Sequence, residues 1–167
     1  MEFNKEKFKN VLHYLIDSCE NKDNVRKNVL YKLLYFADFN YFELYEKSLT
    51  NESYKKLPSG PIPTHFKLAI DELTQEGKIK ETELKYLDKS KFHYSSLIKP
   101  KYSFSREEKE VIDSVINKLS HMSAKEISEY SHGDMPWRAT EDYEIIDYGF
   151  VFYRDPEYTV RVYNDSN

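Results

Sequence analysis

The spacing of apolar residues divides the chain into several helices and one extended segment. Phe8, Val11, Leu12, Leu15, Ile16 and Cys19 recur at three and four, which predicts an amphipathic helix over Lys5 to Cys19. Asn21 to Asn24 interrupt that period, and Asp23 or Asn24 is a natural N-cap for a second helix starting near Val25. Along it Val25, Val29, Leu33, Ala37 and Tyr41 form one row four apart, while Leu30 and Leu34, then Tyr31, Tyr35, Phe39 and Phe42, fill two further rows. A helix apolar around so much of its circumference must be covered on several sides, so it is expected at the centre of the fold.

Between Tyr45 and Pro63 lie Pro58, Gly60, Pro61 and Pro63, which predict a stiff, specifically bent loop. Pro63 is then expected to open a third helix that carries Phe66, Ala69, Ile70 and Leu73 and stops at Gly77. Residues 78 to 100 alternate imperfectly on both sides of Asp88 to Lys91 and predict a β-hairpin. Ser105 with Glu108, and Ser123 with Glu126, each make a capping pattern ahead of helically spaced apolar residues, Val111 to Leu119 and Ile127 with Tyr130. An apolar-aromatic block from Ile145 to Tyr153 and a β-prone Thr159 to Tyr163 close the pattern without selecting a conformation. The expected fold is mainly α: a compact helical domain around a central apolar helix with a small β-hairpin (α+β). It is expected to form one domain over residues 1–167, with its core at about 8–153.

Composition changes this picture little. The 15 Tyr and 10 Phe supply the large side chains that disorder-prone sequences lack, so a real core is expected despite 32% charged residues. No apolar run approaches the roughly 20 residues that cross a bilayer, and the N-terminus lacks a signal peptide's apolar segment, so the expected location is cytoplasmic, with no membrane partner. The lone Cys19 falls on the inward face of the first helix and reads as a small core residue.

Charge is unevenly spread. Residues 1–54 carry 8 basic and 9 acidic groups, residues 55–101 carry 10 and 6, and residues 102–167 carry 7 and 14. A DNA-binding regulator using the hairpin at 78–100 is one reading of Lys78, Lys80, Lys85, Lys89 and Lys91. That segment has no Arg to read base edges, however, and lysines that merely solvate the outer face of a hairpin are the better account.

Candidate chemistry is sparse. The five histidines and one cysteine show no metal-ligand spacing, and four glycines form no phosphate-binding loop, so neither a metal nor a cofactor is expected. His132-Gly133-Asp134-Met135-Pro136-Trp137 sets a histidine near a carboxylate, but no nucleophile accompanies the pair. The structural reading is that Gly133 ends one helix, Pro136 starts another and Trp137 anchors the turn, and no enzymatic activity is expected.

Two groups of residues, taken in order, resemble the Panacea, or SocA-like, antitoxin domain family. The first is Lys32-Leu33-Leu34-Tyr35-Phe36-Ala37-Asp38 with Tyr41, Phe42 and Tyr45, followed by Ser48-Leu49-Thr50, Tyr54 and Gly60-Pro61-Ile62-Pro63. The second is Ser131-His132 with Pro136-Trp137. The chain departs from the family's usual pattern at Glu46, where glycine is common, and at Ser59, where tyrosine is common. The resemblance implies an antitoxin that neutralises a co-encoded toxin by direct complex formation. Relatives that act as proteolytic adaptors imply a protease or chaperone as a further partner. On this reading the residues that meet the toxin are Tyr54, Gly60, Pro61, Pro63, His132, Pro136 and Trp137.

Overall fold

The computed structural model describes residues 2–164. Helix α1 spans Lys5–Cys19, the span its period predicts, with the Asn4 side chain accepting from the Lys7 amide at its N-cap. Helix α2 spans Lys27–Tyr45 and starts later than expected. The cap is Arg26, which makes no side-chain cap bond. The expected cap Asn24 instead donates to the carbonyls of Ser120 and Met122, at 2.7 and 2.8 Å, and so ties the start of α2 to a turn about a hundred residues away.

The proline-rich stretch is not a loop but a second hairpin, β1 (Tyr54–Leu57) with β2 (Gly60–Pro63). Its antiparallel register pairs Tyr54 with Pro63 and Lys56 with Pro61. The backbone groups of Tyr54 and Lys56 turn the other way, onto residues 143–146: Ile146 N–H donates to Tyr54 O, and Tyr143 N–H to Lys56 O, both at 2.8 Å. Alternation therefore puts both prolines at positions that share no ladder bond with β1, where a missing N–H costs nothing, and on the edge strand. With Pro63 used in β2, helix α3 opens only at Phe66 and runs to Gln75, beyond which Gly77 takes a left-handed φ of 72°.

The predicted hairpin is β3 (Ile79–Tyr86) and β4 (Lys89–Ser96), which turns at Leu87–Asp88, one step earlier than expected. Lys80, Lys85, Lys89 and Lys91 are all exposed on it, interleaved with exposed Glu81, Glu83 and Asp88. Both capping patterns form complete capping boxes, opening α4 (Arg106–Leu119) and α5 (Ala124–His132). A single turn, α6 (Met135–Arg138), follows with Pro136 inside its start. Tyr148–Tyr153 form a 3-10 helix, while Thr159 to Tyr163 form no strand and hydrogen-bond to Glu43 instead.

The fold is thus α+β with two antiparallel hairpins. Helix α2 packs against α1, β2, β4, α4, α5 and the 3-10 helix, and Val29, Leu33 and Ala37 are fully buried along it. Cys19 is a buried free thiol in the same core. Among the described residues no helix is long and apolar enough to cross a membrane.

Candidate functional site

Three segments separate in sequence meet around α2: its own Lys32–Asp38, the hairpin β1–β2, and the corner from α5 into α6. The closest approach is at Gly60, whose φ of 118° lies in the region that favours glycine. A Cβ there would stand 2.6 Å from Ser131 Oγ and 2.8 Å from Lys32 Cε. A hydrogen bond from Ser128 Oγ to the Ser59 carbonyl clasps the hairpin tip to α5. Lys56 of β1 reaches the corner directly, its Nζ donating to the Thr140 carbonyl at 2.8 Å and lying 4.0 Å above the Trp137 ring. The hairpin and the His132–Trp137 corner therefore form one continuous seam.

The seam is organised by charges buried in an otherwise apolar region. Asp38 is fully buried and accepts from Thr50 N–H (2.8 Å), Thr50 Oγ1 (2.7 Å), Tyr54 Oη (2.6 Å) and Ser48 Oγ (3.2 Å). One carboxylate thus fixes the chain from Ser48 to Tyr54. Its desolvation outweighs these four donors and pushes its pKa up to about 6. Glu52, also fully buried, accepts from the Ser53 and His65 amides and from Thr64 Oγ1, and so closes the base of the hairpin.

Asp134 holds the corner. It caps α6 by position but makes no side-chain cap bond there, because both its oxygens are engaged elsewhere. Arg154 forks onto them, Nε to Oδ1 and Nη2 to Oδ2, each at 2.8 Å, and Tyr35 Oη adds a third bond at 2.8 Å. Arg154 Nη1 continues to Asn40 Oδ1 at 2.8 Å and Glu43 Oε1 at 3.0 Å. Burial alone would lower the guanidinium's pKa, and the Asp134 carboxylate more than reverses this, so Arg154 is held firmly in its charged form.

Lys32 is the exception. Its ammonium is fully buried and has no hydrogen-bond partner among the described residues, and desolvation lowers its pKa to about 8. Two further polar atoms at the corner, His132 Nε2 and Trp137 Nε1, are likewise buried without a partner, on rings stacked with centroids 4.3 Å apart. His132 makes no hydrogen bond to Asp134, whose oxygens Arg154 and Tyr35 occupy. The two residues are not arranged as an acid–base pair.

Of the seven residues expected at a partner surface, Tyr54, Gly60, Pro61, Pro63 and Pro136 are buried, while His132 and Trp137 are half-buried. All seven lie along the one seam. The side chains exposed beside them are Lys55, Pro58, Ser59 and Arg138. Sequence reasoning passed over Arg154, Glu43, Asp134's anchoring role and Lys56. The available signal was Lys32, Asp38 and Glu43 within a helix expected to be covered on several sides, since charges in such a helix must find buried partners.

The seam is thus buried along most of its length and ends in a half-exposed aromatic edge at His132 and Trp137. The family model described as "Antitoxin SocA-like, Panacea domain" matches residues 30–138, and the chain belongs to this family. The match takes in all three segments of the seam and ends before Arg154. No curated protein and no solved structure matches the chain. Family membership gives the chain a general role in a toxin–antitoxin system and a toxin as its general class of partner.

Proposed function

We propose that this protein neutralises a toxin protein by direct complex formation, using the seam between β1–β2 and the α5–α6 corner as its contact surface. The observation that carries this reading is the meeting of the family's separate motif segments at Gly60, Ser131 and Lys32. On this reading Tyr54, Pro63 and Pro136 shape the surface from beneath, while Trp137, His132 and the hairpin tip at Pro58–Ser59 touch the partner. A half-buried tryptophan beside a rigid hairpin suits such a role, because aromatic side chains bury much area at little rotamer cost. The reading assigns no catalysis to His132, whose ring is committed to Trp137. Regulation through DNA contacts by β3–β4 has less support, since the exposed charges there alternate in sign.

Co-expression with the neighbouring gene's product tests the proposal. The neighbour alone is expected to arrest growth, this chain to restore it, and Trp137→Ser with Ser59→Arg to abolish both rescue and co-purification while the fold persists by circular dichroism. A harmless neighbour, or rescue that survives both substitutions, overturns it.

A further inference from the structure

A cleft of about 490 Å³ lies at the start of α2, one helical turn beyond Lys32 and Ser128 of the seam, between the 23–26 turn, β4 and the start of α5. Arg26, Lys27 and Lys91 line it against a single carboxylate, Asp23, and among the described residues none of the three cations is in an ion pair. Arg26 uses only its Nε, on the Asp23 carbonyl at 3.1 Å, so its outer fork is free. Phe92 forms a wall, with Lys27 Nζ 5.5 Å from its ring centroid. Cations drawn from the start of α2 and from β4 around one aromatic wall, with a single carboxylate among them, define a site for an anion attached to a flat ring.

We propose that this cleft binds a nucleotide, with the phosphates between Arg26, Lys27 and Lys91 and the base against Phe92. The volume lies within the range of about 300–1,000 Å³ usual for small-molecule sites. The first turn of α2 adds donors: Lys27, Asn28 and Val29 line the cleft, and Arg26 makes no side-chain cap bond. A polynucleotide suits the surroundings less well. It needs a continuous basic track, and the neighbouring hairpin interleaves its lysines with Glu81, Glu83 and Asp88. A glycine-rich loop is unnecessary here, since side chains and an uncapped helix start supply the contacts. The inference is independent of the toxin-binding reading.

Isothermal titration of the intact protein with ADP, AMP, pyrophosphate, inorganic phosphate and a short DNA duplex tests it. ADP is expected to bind with a Kd below about 1 mM, and Lys91→Gln and Arg26→Gln each to weaken it about tenfold. Lys91 is exposed, so its substitution leaves the fold intact even if Arg26→Gln disturbs the 23–26 turn. Phe92→Leu is expected to weaken ADP and leave pyrophosphate unchanged. Absence of ADP binding, equal binding by Lys91→Gln, pyrophosphate or phosphate binding as tightly as ADP, or duplex DNA displacing ADP at lower concentration than pyrophosphate does, overturns the inference.

Discussion

Replacing Arg154 by methionine removes a charge that two buried carboxylates share, and its cost depends on the donors each would keep. Glu43 would keep Thr159 Oγ1, the Val160 amide and Tyr163 Oη, so its loss is partial. Asp134 would keep only Tyr35 Oη and stand as a buried charge with one donor. Removing one member of a buried ion pair typically costs about 3–5 kcal/mol. Arg154→Met is therefore expected to lose about 4 kcal/mol, a large part of the stability of a typical domain.

Equilibrium urea unfolding at pH 7 measures this, followed by the fluorescence of the single tryptophan, Trp137, which stacks on His132 at the same corner. A loss below about 1 kcal/mol refutes the reasoning that Arg154 neutralises Asp134.

Three further outcomes follow from the same geometry. Gly60→Ala should destabilise by about 2–3 kcal/mol, from the strained φ and the contacts with Ser131 and Lys32, as read by thermal melting; a neutral effect would show that the hairpin can back away from α5. Glu46→Gly should stabilise by about 1 kcal/mol, because Glu46 caps α2 at φ 58°, where a side chain is strained, and an unchanged melting temperature would contradict this. Carboxyl NMR should find Asp38 titrating near pH 6. Since the folded value is raised above the unfolded one, its ionised form destabilises the fold at neutral pH, and stability from this group should rise by about 1 kcal/mol between pH 7 and pH 5; a midpoint below about 4 disproves it.

What the sequence disclosed and what it hid divide along the range of the interactions. The span of α1 and both capping boxes were legible because their determinants lie within one or two turns: apolar period in the first case, Ser105–Glu108 and Ser123–Glu126 in the second. The β1–β2 hairpin was not, because Pro61 and Pro63 argue locally against a strand. They are admissible only because residues 143–146 take the other side of β1 and leave β2 on the edge. The start of α2 was misplaced for the same kind of reason, as Asn24 is drawn away by carbonyls near Ser120. Glu46 shows a local rule overridden: the position favours the glycine common in the family, and this chain accepts a strained residue there.

The charges carried by α2 bear on where a partner would act. Asp38 and Glu43 have all the donors their burial demands, and each binds one stretch of chain tightly to the helix: Ser48 to Tyr54 in one case, Arg154 to Tyr163 in the other. Lys32, the third, finds no acceptor among the described residues, and it lies where the tip of β1–β2 meets α5. That joint relies on the absence of a side chain at Gly60 and on one hydrogen bond from Ser128, not on a charge pair. A buried polar group left unsatisfied costs about 1–3 kcal/mol, more when charged. The joint is therefore the place around α2 where the free protein is least satisfied and where an added acceptor gains most. Its coincidence with the family's motif segments favours the seam over the alternating charges of β3–β4 as the surface on which a toxin would be held.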